Sequence, residues 1–518
     1  MADSRQCKAC HDLGAQGMAP HSLALRTLQT LSAASAKPTS GKMPWTLLIS
    51  DAITDKKHGQ TGQLPCMACH QEHRGQSANL SAVSNLRCVS CHQARFDSLS
   101  VGHPAFRNYP FSRRSRINFD HSRHFNKHFQ EVALRAKAPA GCNSCHRPDI
   151  KGRTMLIKGF ETTCAGCHAE QIEGAGRAST KGIVVYGVPG LDVPSLIDAN
   201  ASIGAWPIDA EDELTPFMVF LLSADPEFLK ARQQLGDLDL LELADAEPEQ
   251  LKAVEAYAWS IKRFFAQLAA EGIPALKMRL QAGIGQDISM SGISKLSGIL
   301  SVDAFRAAAK AWFPGLHKEF ARHRAGEDVP IPEEADSAES EGPADMSGGE
   351  DWSAAGGWYR EEFSLYYRPT GHQDEMVAEW LNITQSPKSG IDAAAANAVF
   401  ELLADPRAPG RCTKCHSVET VDNGHRVQWT GARPNMHKNA FTVFSHTAHL
   451  SLLGKEGCLS CHALDDDADF AAGFKDRDPN SFTSNFRSIE RKTCAGCHTA
   501  AKAGDSCVSC HDYHIGNF

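Results

Sequence analysis

The segment Phe444–His462 reads FSHTAHLSLLGKEGCLSCH, with His446 and His449 placed shortly before a CxxCH motif. Two cysteines separated by two residues and followed directly by histidine are typical of covalent haem c attachment. Each thiol can add to one vinyl group of the haem, and the histidine can then reach the iron. The segment therefore predicts a haem site whose axial histidine is His462.

The CxxCH motif occurs nine times, and the nine copies account for all 18 cysteines. Their cysteines are Cys7, Cys10, Cys66, Cys69, Cys88, Cys91, Cys142, Cys145, Cys164, Cys167, Cys412, Cys415, Cys458, Cys461, Cys494, Cys497, Cys507 and Cys510. The predicted proximal iron ligands are His11, His70, His92, His146, His168, His416, His462, His498 and His511. Zinc ribbons built from CxxC pairs do not require a histidine after every second cysteine, so the pattern favours nine covalently bound haem c groups and their iron.

The chain contains 24 histidines, so 15 remain after nine proximal ligands are subtracted. A low-spin haem needs a second axial ligand, and the identity of that ligand sets the reduction potential. The candidates for this distal position are His58, His73, His103, His121, His124, His372, His446, His449 and His514. His21 and His128 are reserves, and His425 and His437 are alternatives to His372. His317 and His323 fall in a helical pattern, which favours ordinary helix histidines.

The pattern of the opening segment appears once more as FDHSRH, which runs from Phe119 to His124 ahead of Cys142. Two histidines at positions i and i+3 lie on one side of a helical turn, yet their rings diverge enough to reach different irons. One histidine can bind the haem of the following CxxCH, and the other can bind a neighbouring haem. Such cross-ligation would hold haems close together.

FxHxxH ahead of CxxCH resembles the arrangement in class III, tetrahaem-type cytochromes c and in the wider family of doubled-CxxCH multihaem cytochromes. The resemblance covers Cys7–His168 and Cys412–His514, a little over half of the chain. It implies haem-packed segments with bis-histidine ligation. The middle of the chain departs from the small class III proteins, which have no such insertion.

The cysteine distribution predicts three parts: a pentahaem N-terminal block at 1–170, a haem-free middle domain at 171–405, and a tetrahaem C-terminal block at 406–518. The predicted fold class is mostly α with much irregular structure, because short helices carry the CxxCH motifs and haems form the interior. The middle domain is predicted to be mainly helical, with an acidic disordered loop at 333–351.

Three helices are predicted in the middle domain from apolar spacing. The first has its stripe at Leu251, Val254, Ala258, Ile261, Phe265 and Leu268, between Pro248 and Gly272. AFRAAAKAWFPGLHKEFARH predicts a second helix that is kinked or broken at Pro314, and DAAAANAVFELLAD predicts a third. VVYGVPGLDV, from Val184 to Val193, predicts a short strand or an extended arm.

Charge gives two competing interpretations of one basic stretch. The chain has a formal net charge of −8, while Arg107–Lys127 carries six basic residues among aromatics. These side chains can neutralise buried haem propionates, because unpaired carboxylates near a low-dielectric core are costly. They can also form a docking patch for an acidic redox partner. The first interpretation is favoured, and nothing in the composition suggests nucleic-acid binding.

Haem attachment to CxxCH takes place outside the bacterial cytoplasmic membrane, which predicts a periplasmic or cell-envelope location. The chain opens MADSRQCKACH, without the apolar segment of a signal peptide, so we expect that a signal peptide or anchor is absent from this sequence. No run of eighteen apolar residues predicts a transmembrane helix. Peripheral association with a membrane or a porin is compatible with this composition.

Three functions are compatible with the sequence. The first is electron transfer through a chain of bis-histidine haems between redox partners such as a quinol dehydrogenase, other cytochromes or a terminal reductase. The second is an oxidoreductase with one open haem, acting on a nitrogen or sulfur oxyanion; the Cys7 haem, with only His21 nearby, is its candidate site. The third is a conductive filament in which a histidine of one subunit binds a haem of the next. Electron transfer is favoured, and no catalytic residue is predicted.

Overall fold

A computed structural model describes residues 69–70, 75–79, 82–92, 98–106, 109–110, 114–173, 181–285, 287–298, 302–332, 356–386, 392–431, 442–452 and 454–512. Within these ranges the protein is mostly helical with many irregular connections, as predicted. The helices are short in the two cysteine-rich blocks and longer in the middle domain.

The described helices of the N-terminal block are α1 (Asn85–His92), α2 (His121–Asn126), α3 (Cys142–Cys145), α4 (Phe160–Thr163) and α5 (Ala165–Glu173). A 3₁₀ turn covers His128–Gln130. Strands β1 (His146–Pro148) and β2 (Met155–Ile157) form an antiparallel hairpin directly after the Cys142 motif. Among the described side chains of this block only those of Val83 and Arg114 belong to buried residues, so these elements have little apolar interior of their own.

The middle domain contains ten described helices and a three-stranded antiparallel sheet. The helices are α6 (Val193–Asp198), α7 (Pro216–Leu222), α8 (Pro226–Leu235), α9 (Pro248–Glu271), α10 (Ile273–Ile284), α11 (Met290–Leu296), α12 (Val302–Trp312), α13 (Leu316–Arg324), α14 (Glu375–Thr384) and α15 (Ala393–Ala404). Strands β3 (Ile183–Gly187), β4 (Trp358–Glu361) and β5 (Ser364–Tyr367) lie in the order β3-β5-β4. β3 confirms the predicted strand over the first part of Val184–Val193, and the end of that segment begins α6 instead.

The three predicted helices of the middle domain are confirmed. α9 begins at Pro248 and ends before Gly272, and the predicted stripe is buried except at Leu251, which packs against the core. The second predicted segment forms two helices, α12 and α13, which are separated around Pro314. A proline removes a backbone hydrogen-bond donor and clashes with the preceding turn, which explains the break. The predicted loop at 333–351 lies outside the described residues.

A buried ion pair joins α9 to α13. The Lys262 side chain is 0% exposed, and its Nζ donates to Glu319 Oε2 at 2.7 Å and to the Ile203 carbonyl. Burial lowers the pKa of Lys262, and the Glu319 carboxylate opposes that shift. Gly204 passes beside the pair with φ +68°, where a Cβ would meet both charged groups. The pair therefore fixes the approach of two helices and one loop.

The hydrophobic core of the middle domain extends into the C-terminal block. It runs from Ile183 to Ala404 and also includes Val418 and Val427. The C-terminal elements are α16 (Cys412–Cys415), β6 (Val418–Val421), β7 (Gly424–Val427), α17 (His446–Leu450), α18 (Ala472–Lys475) and α19 (Arg491–Ala495), with 3₁₀ turns at Gly457–Ser460 and Cys507–Ser509. The β6–β7 hairpin, which directly follows the Cys412 motif, therefore packs against the middle domain.

Arg114 ties the two blocks together. The residue is 3% exposed, and its guanidinium donates to the carbonyls of Gly473 and Val418, while Glu419 lies 3.9 Å away. Glu419 is held in turn by Gln428 Nε2 at 2.7 Å. A member of the predicted basic stretch therefore binds protein groups of the C-terminal block.

In the part of the chain that the structure describes, no helix has both the length and the apolar character needed to cross a membrane.

Candidate haem-binding sites

Six CxxCH motifs are described in full, and they share one backbone feature. In each motif the histidine N–H donates to the carbonyl of the first cysteine, which closes a single helical turn. The bonds join His168 to Cys164, His416 to Cys412, His462 to Cys458, His498 to Cys494 and His511 to Cys507 at 2.8–3.0 Å, and His146 to Cys142 at the end of α3. The short turn is therefore a local property of the motif.

Each of these six proximal histidines faces a second imidazole ring. The ring centroids are 6.1 Å apart for His121 and His146, 6.5 Å for His124 and His168, 6.3 Å for His372 and His416, 6.5 Å for His446 and His462, 6.0 Å for His449 and His498, and 6.2 Å for His103 and His511. All six partners belong to the predicted distal set. The structure thus brings six predicted distal ligands to six CxxCH motifs, one to each.

This spacing fits a metal ion held between two imidazoles. A metal–nitrogen bond of about 2 Å on each side separates the two nitrogens by about 4 Å, and the rings add about 1 Å each, giving about 6 Å between centroids. Van der Waals stacking would bring the rings closer, as for Phe160 and His372 at 3.9 Å. Haem iron takes four ligands from the porphyrin, so the protein needs to supply only two. The six pairs therefore fit haem c with bis-histidine ligation.

The two FxHxxH segments have the same local structure. Each helix begins at the first histidine, capped by Asp120 in α2 and by Ser445 in α17. In both, the phenylalanine stacks on the second histidine and meets the first edge-on. The first histidine faces the CxxCH that follows, and the second faces the next motif along the chain. This is the arrangement that the i, i+3 spacing predicts.

In six of these histidines, a hydrogen bond to a backbone carbonyl determines which ring nitrogen can bind a metal. A carbonyl oxygen only accepts, so Nδ1 must donate its proton and Nε2 keeps its lone pair. The acceptors lie 2.7–3.2 Å from Nδ1 of His103, His124, His416, His446, His449 and His498. Such bonds also fix the orientation of a ligating ring.

Electrostatics favour neutral rings in most of the pairs. Burial, followed by the proximity of His146 and His124, lowers the pKa of His121 to about 4. Burial also lowers the pKa of His124, His146, His168, His372, His416, His446 and His462. A neutral imidazole has the lone pair that a metal requires, so these rings are suited to ligation at neutral pH.

His372 comes from the middle domain, on the turn between β5 and α14. Its ring stacks on Phe160 of the N-terminal block at 3.9 Å. Asp374 organises the turn, since its carboxylate accepts from the Tyr367 hydroxyl at 2.7 Å, from Thr370 N and from Val377 N. The domain predicted to be haem-free therefore presents a histidine to the Cys412 motif.

Replacing Asp374 with alanine should loosen this turn. The change removes the N-cap of α14, which typically costs about 1 kcal/mol of stability, and removes the acceptor of the Tyr367 hydroxyl. We expect the Cys412 site to lose its low-spin signal at a lower temperature than in the unmodified protein, as measured by variable-temperature absorption. The matched control is Asp392→Ala, which removes the corresponding cap of α15. Equal thermal loss in both variants would contradict a role for Asp374 at His372.

Three motifs and three predicted distal ligands have no described imidazole pair. The motifs at Cys7 and Cys66 lie wholly or partly outside the described residues, as do His58, His73, His514, His21 and His437. In the Cys88 motif the backbone is described, but the side chains of Cys91 and His92 are not. Their pairing remains a prediction from the sequence. The Cys88 motif lies on α1, whose Asn85 side chain donates to the Asp505 carbonyl and accepts from Cys507 N.

The remaining described histidines have other neighbours. His425 stacks on Phe400 and lies 3.5 Å from Glu401, beside Arg477. His323 stacks on Trp259 at 3.9 Å, and His128 lies 3.1 Å from Glu131. The prediction favoured a helix histidine at His323 and left His425 open.

The sequence analysis did not predict two residues that lie near the sites. Phe486 contacts both His121 and His462, with centroids 4.8 and 6.0 Å apart. Asn485 accepts from His121 N and donates to Asp120. A single asparagine–phenylalanine pair in an irregular segment carries no periodic or motif signal, so only the structure reveals it.

Clusters of three or more histidine, cysteine or carboxylate side chains arranged for a metal ion do not occur among the described residues. No family model, curated protein or solved structure shows a significant match to the chain.

Proposed function

We propose that this protein is a nonahaem c-type cytochrome that carries electrons between redox partners in the periplasm or cell envelope. The observation that carries the proposal is the set of six imidazole pairs, each 6.0–6.5 Å apart between centroids and each containing the histidine of a CxxCH motif. When bound, haem c supplies reversible one-electron chemistry.

The residues of the chain have distinct parts in this proposal. The cysteines hold each haem covalently, and the two histidines fill both axial positions. Because both faces of these six irons would be occupied by protein, a substrate could not reach them. Bis-histidine ligation also favours lower potentials than histidine–methionine ligation. Both features suit electron transfer better than catalysis at these six sites.

The partners follow from the same proposal. A quinol dehydrogenase, another cytochrome or a terminal reductase is a suitable donor or acceptor, because each exchanges single electrons with low-potential haems. Within the basic stretch, Arg114 is buried against the C-terminal block and is therefore not part of a docking surface, whereas the Arg123 side chain remains exposed.

Low-temperature electron paramagnetic resonance of the oxidised protein tests the proposal, integrated against total haem from a pyridine haemochrome assay. We expect nine haems per chain and at least six in the low-spin state. Fewer than six low-spin haems would contradict bis-histidine ligation at the described sites. A high-spin signal from up to three haems that shifts with nitrite, hydroxylamine or sulfite would instead assign an enzyme site to the Cys7, Cys66 or Cys88 motif.

A further inference from the structure

The centre of the haem-bearing region is a contact between the two blocks. The Phe486 ring lies between His121 of the N-terminal block and His462 of the C-terminal block. The Cys142 and Cys458 motifs, which are more than 300 residues apart, are therefore direct neighbours.

The contact is reciprocal. His446 N donates to the Gly152 carbonyl at 2.6 Å, and Gly152 lies in the hairpin after the Cys142 motif. His121 N donates to Asn485 Oδ1 at 2.9 Å, and Asn485 lies in the segment after the Cys458 motif. Each FxHxxH segment thus binds the loop that follows the other block's CxxCH. Such an exchange is the signature of two similar units related by an approximate twofold axis.

The outer ends repeat this correspondence. Asn118, just before the first FxHxxH, donates its N–H to the Cys415 carbonyl at 2.7 Å. Val443, just before the second, donates to the Cys510 carbonyl at 2.7 Å. The bridges from Ile117 to His416 and from Thr442 to His511 match in the same way. The Cys412 motif therefore has the same place in one unit that the Cys507 motif has in the other.

Other contacts show which CxxCH motifs are adjacent within each unit. Within each unit the two histidines of one FxHxxH face two successive motifs, Cys142 and Cys164 or Cys458 and Cys494, and both second motifs read TCAGCH. Phe160, four residues before Cys164, stacks on His372, which faces the Cys412 motif. Arg491, three residues before Cys494, donates to the carbonyl of His103, which faces the Cys507 motif. These contacts place the Cys412 motif beside Cys164 and the Cys507 motif beside Cys494.

We infer that the chain contains two equivalent three-haem units, joined head to head, whose attachment sites form one row in the order Cys412, Cys164, Cys142, Cys458, Cys494, Cys507. This inference rests on the proposed function and goes beyond it, because it sets the order of sites along the electron route. The middle domain is then an insertion within the first unit, between its Cys164 and Cys412 motifs. In the second unit only residues 499–506 separate the corresponding motifs.

The proposed order places the four sites of the C-terminal block in two separate parts of the row. Its first site, Cys412, is separated from its other three by the Cys164 and Cys142 sites of the N-terminal block. An electron that enters at Cys412 therefore visits the N-terminal block before it reaches Cys458. The contact of Asn85 with Cys507 extends the row toward the Cys88 motif at the opposite end from Cys412.

Flash photoreduction of the haem-loaded full chain tests the order. Every native cysteine belongs to a CxxCH motif, so Arg407→Cys, at an exposed position five residues before Cys412, adds one free thiol for a ruthenium photoreductant. The equivalent variants His121→Met and His446→Met each convert one site to histidine–methionine ligation, which raises its potential and makes it a spectroscopically distinct electron trap. The rate of trap reduction after the flash is compared between them.

With the label at Arg407→Cys, we expect the His121→Met trap at Cys142 to fill several-fold faster than the His446→Met trap at Cys458. The control label, Ala501→Cys, lies at an exposed position before Cys507 and should reverse this preference. If the label at Arg407→Cys filled the Cys458 trap faster than the Cys142 trap, the row would be overturned. The same holds if the two traps filled at equal rates from either label position. Electron transfer itself would remain supported in both cases. Where the absorption spectrum shows methionine ligation at both sites, failure of both traps to fill would overturn the proposed function itself.

A second measurement keeps the order falsifiable where methionine does not ligate. Iron positions in a cryo-EM map of the unmodified haem-loaded chain give the nearest neighbour of each site directly. We expect the Cys412 iron to be nearest to the Cys164 iron, and the Cys142 iron to lie next to the Cys458 iron. A Cys412 iron whose nearest neighbour is the Cys458 iron would overturn the row.

Discussion

Replacing His372 with alanine should convert about one ninth of the total haem, the single group at Cys412, from low-spin to high-spin. His372 is the ring that faces His416, at 6.3 Å between centroids, so its removal leaves one axial position of that site without a protein ligand. A five-coordinate or water-ligated haem iron is high-spin, whereas two imidazoles hold it low-spin. Integrated electron paramagnetic resonance of the oxidised protein measures the fraction, and added imidazole should restore the low-spin state.

The matched control for this prediction is His425→Ala. Both histidines lie near the Cys412 motif in the sequence, but His425 stacks on Phe400 and sits beside Glu401 and Arg477. Its removal should leave the spin state of every haem unchanged. A high-spin signal of the same size from His425→Ala, or none from His372→Ala, would show that the distal ligand of this site has been misassigned.

A confirmed His372 result would change how the middle domain is understood. Its role would include ligation of the haem at one end of the row, so it could not be removed without changing that site. The stack of His372 on Phe160 also couples the domain to the N-terminal block at the adjacent Cys164 motif.

The local structure of the FxHxxH turns depends on short spacings, which a sequence shows directly. These turns need only a cap and an i, i+3 pair, and both segments contain them. His103 and His372 entered the predicted distal set because an excess of histidine is unusual in a chain of this length. α9 was predictable from its buried stripe and its proline and glycine boundaries.

The long-range parts of the structure were not predictable in the same way. The partner of a distal histidine, such as His372 for His416, is set by how separate segments pack, and a single sequence contains no signal for that. β4 and β5 are four residues each, too short for periodicity to distinguish them from loops. Division of the chain by cysteine density also hid the equivalence of the Cys412 and Cys507 motifs, because the middle domain separates the first from its own unit.

The Lys262→Met variant should show the largest loss of stability in the middle domain. Lys262 is fully buried, and removing it leaves the Glu319 carboxylate without its cation and the Ile203 carbonyl without its donor. Removing one member of a buried ion pair typically costs about 3–5 kcal/mol. We expect about 3 kcal/mol, at the lower end, because the Glu319 side chain remains 14% exposed and can recruit water.

Urea unfolding followed by tryptophan fluorescence measures this effect, because Trp206, Trp259, Trp312, Trp358 and Trp380 all lie in the middle domain. The matched control is Lys295→Met, which breaks the exposed pair with Glu375 at 3.3 Å and should cost less than about 1 kcal/mol. Adding Glu319→Gln to Lys262→Met removes the orphaned charge and keeps an acceptor for Ala205 N, so it should recover part of the loss. If the two single variants unfolded at the same urea concentration, the buried pair would contribute no more than a surface one, and the junction of α9 with α13 would depend on apolar packing alone.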